Sequence, residues 1–185
     1  AFWLVAAIIH PNSSIRIVGV GLNPTRTGIL DALLEMGANI VVENVRTSGG
    51  EPMADLVAHS SHLSGIKVDG AMIPRLIDEI PILAVAALFA RGTTEVKDAA
   101  ELRLKESDRI KNIEEGLNKI GIKTISTNSS LKIFENNNIK LKKKLEIHSK
   151  NDHRIAMSFF CLAQLINGEV RINGFETVDT SFPSF

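Results

Sequence analysis

Cysteine and tyrosine are scarce in this 185-residue chain, which has one cysteine, Cys161, and no tyrosine. A single cysteine excludes an internal disulfide framework and any multi-cysteine metal site, and it fits a reducing compartment. An excess of one charge sign is also missing, because 21 Lys and Arg offset 21 Asp and Glu. With no global field to attract nucleic acid or an anionic membrane, any anion must be bound by a local cluster of charges.

Long hydrophobic runs are missing as well. The apolar stretch at residues 1–9 is about nine residues long, too short to span a bilayer, and no basic leader precedes it as in a signal peptide. With 44% hydrophobic residues, the chain is expected to fold as one globular domain. The sequence begins within an apolar stretch and ends on phenylalanines that would ordinarily need to be covered by other residues. We therefore expect this chain to be a piece of a longer protein, truncated at both ends.

Two elements recur along the chain. An apolar helix, a short turn and a strand occur at residues 4–20, 83–99 and 160–175. Helices without a polar face must be covered on most sides, so these three should share one interior. An amphipathic helix that ends in glycine before a strand occurs twice, ending at Gly37 and Gly121. Further strands are predicted at residues 54–59, 64–68, 131–134 and 145–148.

Together these elements predict an α/β (α+β) fold of repeated βαβαββ units with buried helices. A third copy of the unit would need residues beyond Phe185.

The first charged cluster, residues 77–81 (IDEIP), lies directly before an apolar helix predicted over residues 82–90. Pro81 fits the first helical position, which places Asp78 and Glu79 just ahead of the first turn. Acidic side chains there commonly cap a helix and favour its dipole. We expect capping to be their main role; the alternative is that they face a cavity at the mouth of this helix.

The second cluster, residues 101–109 (ELRLKESDR), carries six charges, more than a helix start requires. If the first turn opens near Lys105, then Lys105 and Arg109 lie one above the other. Like charges in that arrangement repel unless an anion lies between them. The cluster therefore predicts a ligand, with a solvated charged turn as the alternative.

The third cluster, residues 151–154 (NDHR), opens the apolar helix predicted over residues 155–166. Asn151 or Asp152 can cap this helix, which places His153 and Arg154 in its first turn. Cations there oppose the positive end of the helix dipole. The placement is explained if the free amides, the imidazole and the guanidinium bind one anion, and we predict an anion site.

The remaining polar stretches have simpler interpretations. Residues 136–138 and 140–144 (NNN and KLKKK) are interpreted as a solvated hairpin tip; the alternative is a nucleic-acid patch, but no aromatic residue interleaves to stack on bases. Cys161 lies within an apolar helix and is expected to be buried and unreactive. The scattered histidines do not form a ligand set, so we predict no metal.

Two long motifs resemble the signatures of the EPSP synthase family, the 3-phosphoshikimate 1-carboxyvinyltransferases. They are residues 102–110 (LRLKESDRI) and 151–158 (NDHRIAMS). Residues 21–28 (GLNPTRTG) and 90–94 (ARGTT) are also similar to the family. The similarity runs over essentially the whole chain and would cover a little under half of a family member, its C-terminal part.

The resemblance implies a two-domain enzyme, each domain built from three βαβαββ units. Residues 1–185 would form most of the domain with C-terminal sequence, and the N-terminal-sequence domain would be missing. The family transfers the carboxyvinyl group of phosphoenolpyruvate to the 5-hydroxyl of shikimate 3-phosphate and releases phosphate, without a cofactor. We therefore expect those two substrates as partners, no nucleic acid and no membrane, and a monomeric enzyme of the bacterial cytoplasm or, in a plant or alga, the plastid.

The resemblance also implies residue roles. Asp78 matches the aspartate that meets the attacking hydroxyl, and Glu106 matches the glutamate of proton transfer at the methylene carbon. Lys105 matches a lysine that touches both substrates, and Glu101 lies at a substrate-lining position. The family's cations that hold phosphoenolpyruvate correspond to Arg109, His153 and Arg154 of this chain. Fixed cations suit this reaction because its intermediate carries dense negative charge.

Some features depart from the family or leave alternatives. Thr180 stands where the family often has a basic residue shortly before Phe-Pro. A sister enzyme, the UDP-N-acetylglucosamine carboxyvinyltransferase, shares fold and chemistry but usually carries a reactive loop cysteine and different motifs. A non-catalytic anion- or RNA-binding module that uses the lysine segment is the alternative from another class. We expect the 185-residue chain alone to be inactive, because it lacks the opposing wall of the cleft.

Overall fold

The computed structural model describes residues 1–135 and 144–185. In these ranges the chain forms six α-helices: α1 (Phe2–Ile9), α2 (Gly28–Glu35), α3 (Ile73–Leu76), α4 (Ile80–Ala87), α5 (Arg109–Lys119) and α6 (His153–Ala163). The strands of the first half are β1 (Ser14–Gly21), β2 (Asn39–Ser48), β3 (Glu51–His59), β4 (Leu63–Ser64) and β5 (Lys67–Val68). Those of the second half are β6 (Ala90–Arg91), β7 (Thr94–Val96), β8 (Thr124–Ser126), β9 (Leu131–Ile133), β10 (Lys144–His148) and β11 (Glu169–Asn173).

The three apolar helices α1, α4 and α6 pack against one another, as the absence of polar faces predicted. Every residue of α4 is buried, because sheets and helices cover it on all sides. The amphipathic helices α2 and α5 lie outside this centre and bury one face each. None of the helices described is both long and apolar enough to cross a membrane.

The predicted βαβαββ unit is complete once in the middle of the chain. Strands β5, β7, β8 and β9, with α4 and α5 between them, form a four-stranded sheet in the order β5-β7-β9-β8. The strands β5 and β7 on either side of α4 are parallel, whereas β9 runs antiparallel to both its neighbours. A next unit begins with β10 and β11, which pair in parallel across α6.

One strand prediction needs correction. The single strand predicted over residues 64–68 is two short strands, β4 and β5, which pair in different sheets. The break falls at Gly65, whose backbone lies so close to Thr93 that a side chain there would clash. The segment predicted as a hairpin tip, residues 136–138 and 140–144, lies outside the described residues except for Lys144, the first residue of β10.

Candidate active site

Arg109, the first residue of α5, is the centre of a charged cluster. Its side chain is 1% exposed, and each of its three nitrogens donates to a different carboxylate. Nε lies 2.8 Å from Oδ2 of Asp152, Nη1 2.9 Å from Oδ1 of Asp78 and Nη2 2.6 Å from Oε2 of Glu106. Burial acts to lower the pKa of Arg109, but Asp152 and the other carboxylates outweigh it and raise the pKa. The buried guanidinium is therefore charged, and each of its nitrogens has a carboxylate partner.

Asp152 joins the N-termini of two helices. It is the N-cap of α6, where Oδ1 accepts from the backbone N–H of Arg154 at 2.9 Å and of Ile155 at 3.3 Å. Its Oδ2 accepts from Arg109 and from Oγ of Ser107 at 2.9 Å. The predicted cap of α6 is thus Asp152 rather than Asn151, and its carboxylate also fixes the Arg109 side chain.

Arg154, in the first turn of α6, binds the two carboxylates that precede α4. Its Nη1 lies 2.9 Å from Oε1 of Glu79 and 3.3 Å from the carbonyl oxygen of Asp78, and its Nη2 lies 3.9 Å from Oδ2 of Asp78. The expected capping role of Asp78 and Glu79 is wrong, because neither side chain bonds to an amide of α4 in the described structure. Guanidinium groups on other helices offer stronger, charge-assisted bonds.

Lys105 is not helical. It has an extended backbone after the 3-10 turn Ala100–Leu104, and α5 begins only at Arg109, because the Asp108 side chain caps it by accepting from the Lys111 amide at 3.0 Å. The expected stacking of Lys105 on Arg109 along one helix is therefore wrong.

An anion does lie between these two cations, and it is the carboxylate of Asp78. Its Oδ1 is 3.6 Å from Nζ of Lys105 and 2.9 Å from Nη1 of Arg109. Burial acts to raise the pKa of Asp78, but Arg154, Arg109 and Lys105 outweigh it and lower the pKa. Asp78 is therefore ionised at neutral pH.

The cluster has a defined rim. Glu101 binds Nζ of Lys105 at 2.6 Å, and this bond is the main cause of the raised pKa of Lys105. His153 lies in the first turn of α6, and among the described residues it forms no hydrogen bond or ion pair with the cluster. Thr180 ends a 3-10 turn, where its hydroxyl donates to the carbonyl oxygen of Thr177.

The structure therefore brings together most of the predicted site residues: Asp78, Glu101, Lys105, Glu106, Arg109 and Arg154. Sequence reasoning missed Glu79 as a partner of Arg154 and Asp152 as a partner of Arg109. The available signal was electrostatic: a guanidinium held near a buried helix end needs a carboxylate. In the part of the chain that the structure describes, no three His, Cys, Asp or Glu side chains are grouped to hold a metal ion.

The fold of this chain is shared with the enolpyruvyl transferases. A crystal structure of the enolpyruvyl transferase NikO from Streptomyces tendae matches 98% of the chain with a TM-score of 0.73 at 18% identity, which shows the shared fold. A structure of EPSP synthase from Acinetobacter baumannii matches 99% of the chain with a TM-score of 0.93 at 42% identity, and this chain covers 42% of it.

The sequence comparisons are more specific. The family model described as EPSP synthase (3-phosphoshikimate 1-carboxyvinyltransferase) matches residues 1–185, so the chain belongs to the EPSP synthase family. A 3-phosphoshikimate 1-carboxyvinyltransferase from Synechocystis sp. is 50% identical over the whole chain, and one from Thermoanaerobacter sp. is 46% identical. The chain spans 41% and 43% of the lengths of these relatives.

Proposed function

We propose that the protein containing this chain transfers the carboxyvinyl group of phosphoenolpyruvate to the 5-hydroxyl of shikimate 3-phosphate, releasing phosphate. The observation that carries the proposal is the gathering of three cations and two acid–base candidates at the ends of three helices. Arg109, Arg154 and Lys105 supply fixed positive charge for a multiply charged anion, and Asp78 and Glu106 lie beside it. Family membership names the reaction that uses such a site.

In this mechanism the 5-hydroxyl adds to carbon 2 of phosphoenolpyruvate while a proton is added at the methylene carbon. Glu106 is the candidate for delivering that proton and for removing one again as phosphate leaves. Asp78 accepts a hydrogen bond from the 5-hydroxyl and takes its proton as the new C–O bond forms. Because its lowered pKa makes Asp78 a weak base, it passes that proton to the phosphate group, which carries it away on leaving. Arg109, Arg154 and Lys105 hold the charge of the phosphate and carboxylate groups, and His153 and Glu101 line the site.

The chain supplies most of one domain in this proposal. The opposing wall of the cleft would come from a domain of N-terminal sequence in the same polypeptide, and the complete enzyme would be a monomer of the bacterial cytoplasm or of a plastid. Its partners would be the two small-molecule substrates.

The family match argues against the sister enzyme that acts on UDP-N-acetylglucosamine. The EPSP synthase family model matches residues 1–185, and the chain carries the Asp-His-Arg sequence at residues 152–154. Cys161 is buried within α6, and burial raises the pKa of its thiol to about 12, as expected of an unreactive cysteine. The proposal therefore stays with shikimate 3-phosphate as the acceptor.

The test is an activity assay on a complete polypeptide. This chain would replace the corresponding part of the Synechocystis relative, and phosphate release would be measured with both substrates. We expect turnover by the chimera and none by the 185-residue chain alone. Glu106→Gln should lower kcat about 100- to 10,000-fold, as for loss of a general acid, whereas the matched Glu115→Gln on the exposed face of α5 should not.

A chimera that folds but does not release phosphate from the two substrates would contradict the proposed function. Turnover by the isolated chain would contradict the missing-domain proposal.

A further inference from the structure

The cations of the site are already neutralised by the protein itself. Each of Arg109, Arg154 and Lys105 is paired with at least one carboxylate. The Arg109 side chain, at 1% exposure, cannot be reached by a ligand while its present neighbours stay in place. An anion that binds Arg109 must therefore displace one of the three carboxylates around it.

Two of these carboxylates are held too firmly to leave. Asp152 is fully buried and also caps α6. If its side chain moved away, the buried guanidinium of Arg109 would lose a carboxylate, and the first amides of α6 would lose their acceptor. Asp78 is bonded to Arg109 and lies within ion-pair distance of both Lys105 and Arg154.

Glu106 differs from both in exposure and in partners. Its side chain is 47% exposed, and Arg109 is its one ion-pair partner among the described residues. It lies in the segment between the 3-10 turn Ala100–Leu104 and α5, so its departure breaks no helix cap. Only the carboxylate of this pair reaches solvent, so water can take up its charge when it leaves, and a multiply charged anion competes well for the same nitrogen.

We propose that Glu106 is an internal substitute for the substrate anion: it occupies Nη2 of Arg109 in the free protein and is displaced when an anion binds there. The displaced carboxylate then lies beside the bound anion without its former counter-ion, at the place where a proton carrier is needed. This last step rests on the proposed function; the exchange itself does not. Removal of the Glu106 charge should therefore strengthen anion binding while it lowers kcat.

The experiment measures sulfate binding to the 185-residue chain by isothermal titration calorimetry, at constant low ionic strength because salt screens the interaction. The nitrogen-bound protons of the Arg109 side chain, followed by NMR, report whether sulfate binds there. We expect Glu106→Gln to bind sulfate about three- to tenfold more tightly than the unaltered chain. Glu106→Ala should shift the affinity in the same direction. Glu115→Gln, which removes the same charge from α5 outside the cluster, should leave it unchanged.

Equal or weaker sulfate binding by both Glu106 variants would overturn the exchange. So would a gain of the same size in Glu115→Gln, or the failure of every form to bind sulfate at Arg109. The proposed function is decided separately by turnover of the complete chimera, so one can fail while the other stands.

Discussion

Asp55 and Arg109 are both buried charges, and the fold satisfies them in opposite ways. Asp55, in β3, is a carboxylate enclosed by donors, whereas Arg109 is a guanidinium enclosed by acceptors. The groups around Asp55 are the Gly19 amide at 3.0 Å, Asn44 Nδ2 at 2.9 Å, Arg46 Nη1 at 3.0 Å and Arg16 Nη2 at 3.3 Å.

The difference lies in how each partner is fixed. β1 and β2 each have an irregular register opposite Asp55, and these irregularities contain Gly19 and Asn44 in the left-handed region with φ of 72° and 51°. They direct a backbone amide and a short side chain at Asp55, so the sheet itself holds the charge. Arg109 is held by side chains alone, and one of them is half exposed. Asp55 also has two exposed arginine partners, but the Gly19 amide stays in place if they move, whereas the bonds of the Arg109 guanidinium to the described residues all go to side chains. Arg109 is therefore the centre that is better suited to exchange a ligand.

The largest expected effect is the loss of stability when the buried cation Arg109 is removed. Arg109→Met should lower the free energy of unfolding of the chain by about 3–5 kcal/mol, because it leaves Asp152 as a buried carboxylate without its cation. Denaturant unfolding measures this change. A loss below about 1 kcal/mol would mean that Asp152 is satisfied by Ser107 and the α6 amides alone.

The next effect is on function first and on stability second. In the complete chimera, Arg154→Ala should reduce kcat/KM for phosphoenolpyruvate about 100-fold, since it removes a hydrogen-bonded cation from the site. Because Arg154 and Glu79 are only 21% and 19% exposed, the same change should lower the free energy of unfolding by about 1–3 kcal/mol. Unchanged steady-state kinetics would remove Arg154 from the site.

The same contrast explains what the sequence could predict. The apolar helices, the glycine-terminated amphipathic helices and the βαβαββ order follow from periodicity, which acts over one element at a time. The cap at Asp152 was also accessible, because capping is local. The pairing of Arg109 with Asp152 joins residues 43 positions apart, and that of Arg154 with Glu79 joins residues 75 apart. Local patterns carry no information about such pairs.

The expectation that Asp78 and Glu79 cap α4 failed for the same reason. Capping is the best use of a carboxylate within its own segment, but guanidiniums brought from α5 and α6 compete for it and form stronger bonds. The resemblance to a known family implied a site role for Asp78, whereas local reasoning favoured the wrong partner.

A smaller expected effect is the dependence of the chain's stability on acidic pH. The hydrogen bond from Asn44, with the Gly19 amide and the two arginines, holds the pKa of Asp55 well below its usual range. The resulting stabilisation is present above the unfolded-state pKa of about 4 and is lost as the pH falls below it. The difference in melting temperature between the chain and its Asp55→Asn variant should therefore shrink between about pH 5 and pH 2. A difference independent of pH would contradict this, and Asp31→Asn, in an exposed pair with Arg75, is the control.

The smallest expected effect is the change in stability when the charge of Glu101, at the outer edge of the Arg109 cluster, is removed. Glu101 is 65% exposed and, among the described residues, its one ion-pair partner is Lys105, four residues along the chain. Glu101→Gln should therefore change the free energy of unfolding by less than about 0.5 kcal/mol, because an exposed pair loses in side-chain entropy most of what it gains in attraction. Lys105 keeps Asp78 at 3.6 Å and stays in the site. A measured loss above about 1 kcal/mol in denaturant unfolding would place Glu101 among the fixed carboxylates, and Glu106 would then be the one exchangeable carboxylate in this cluster.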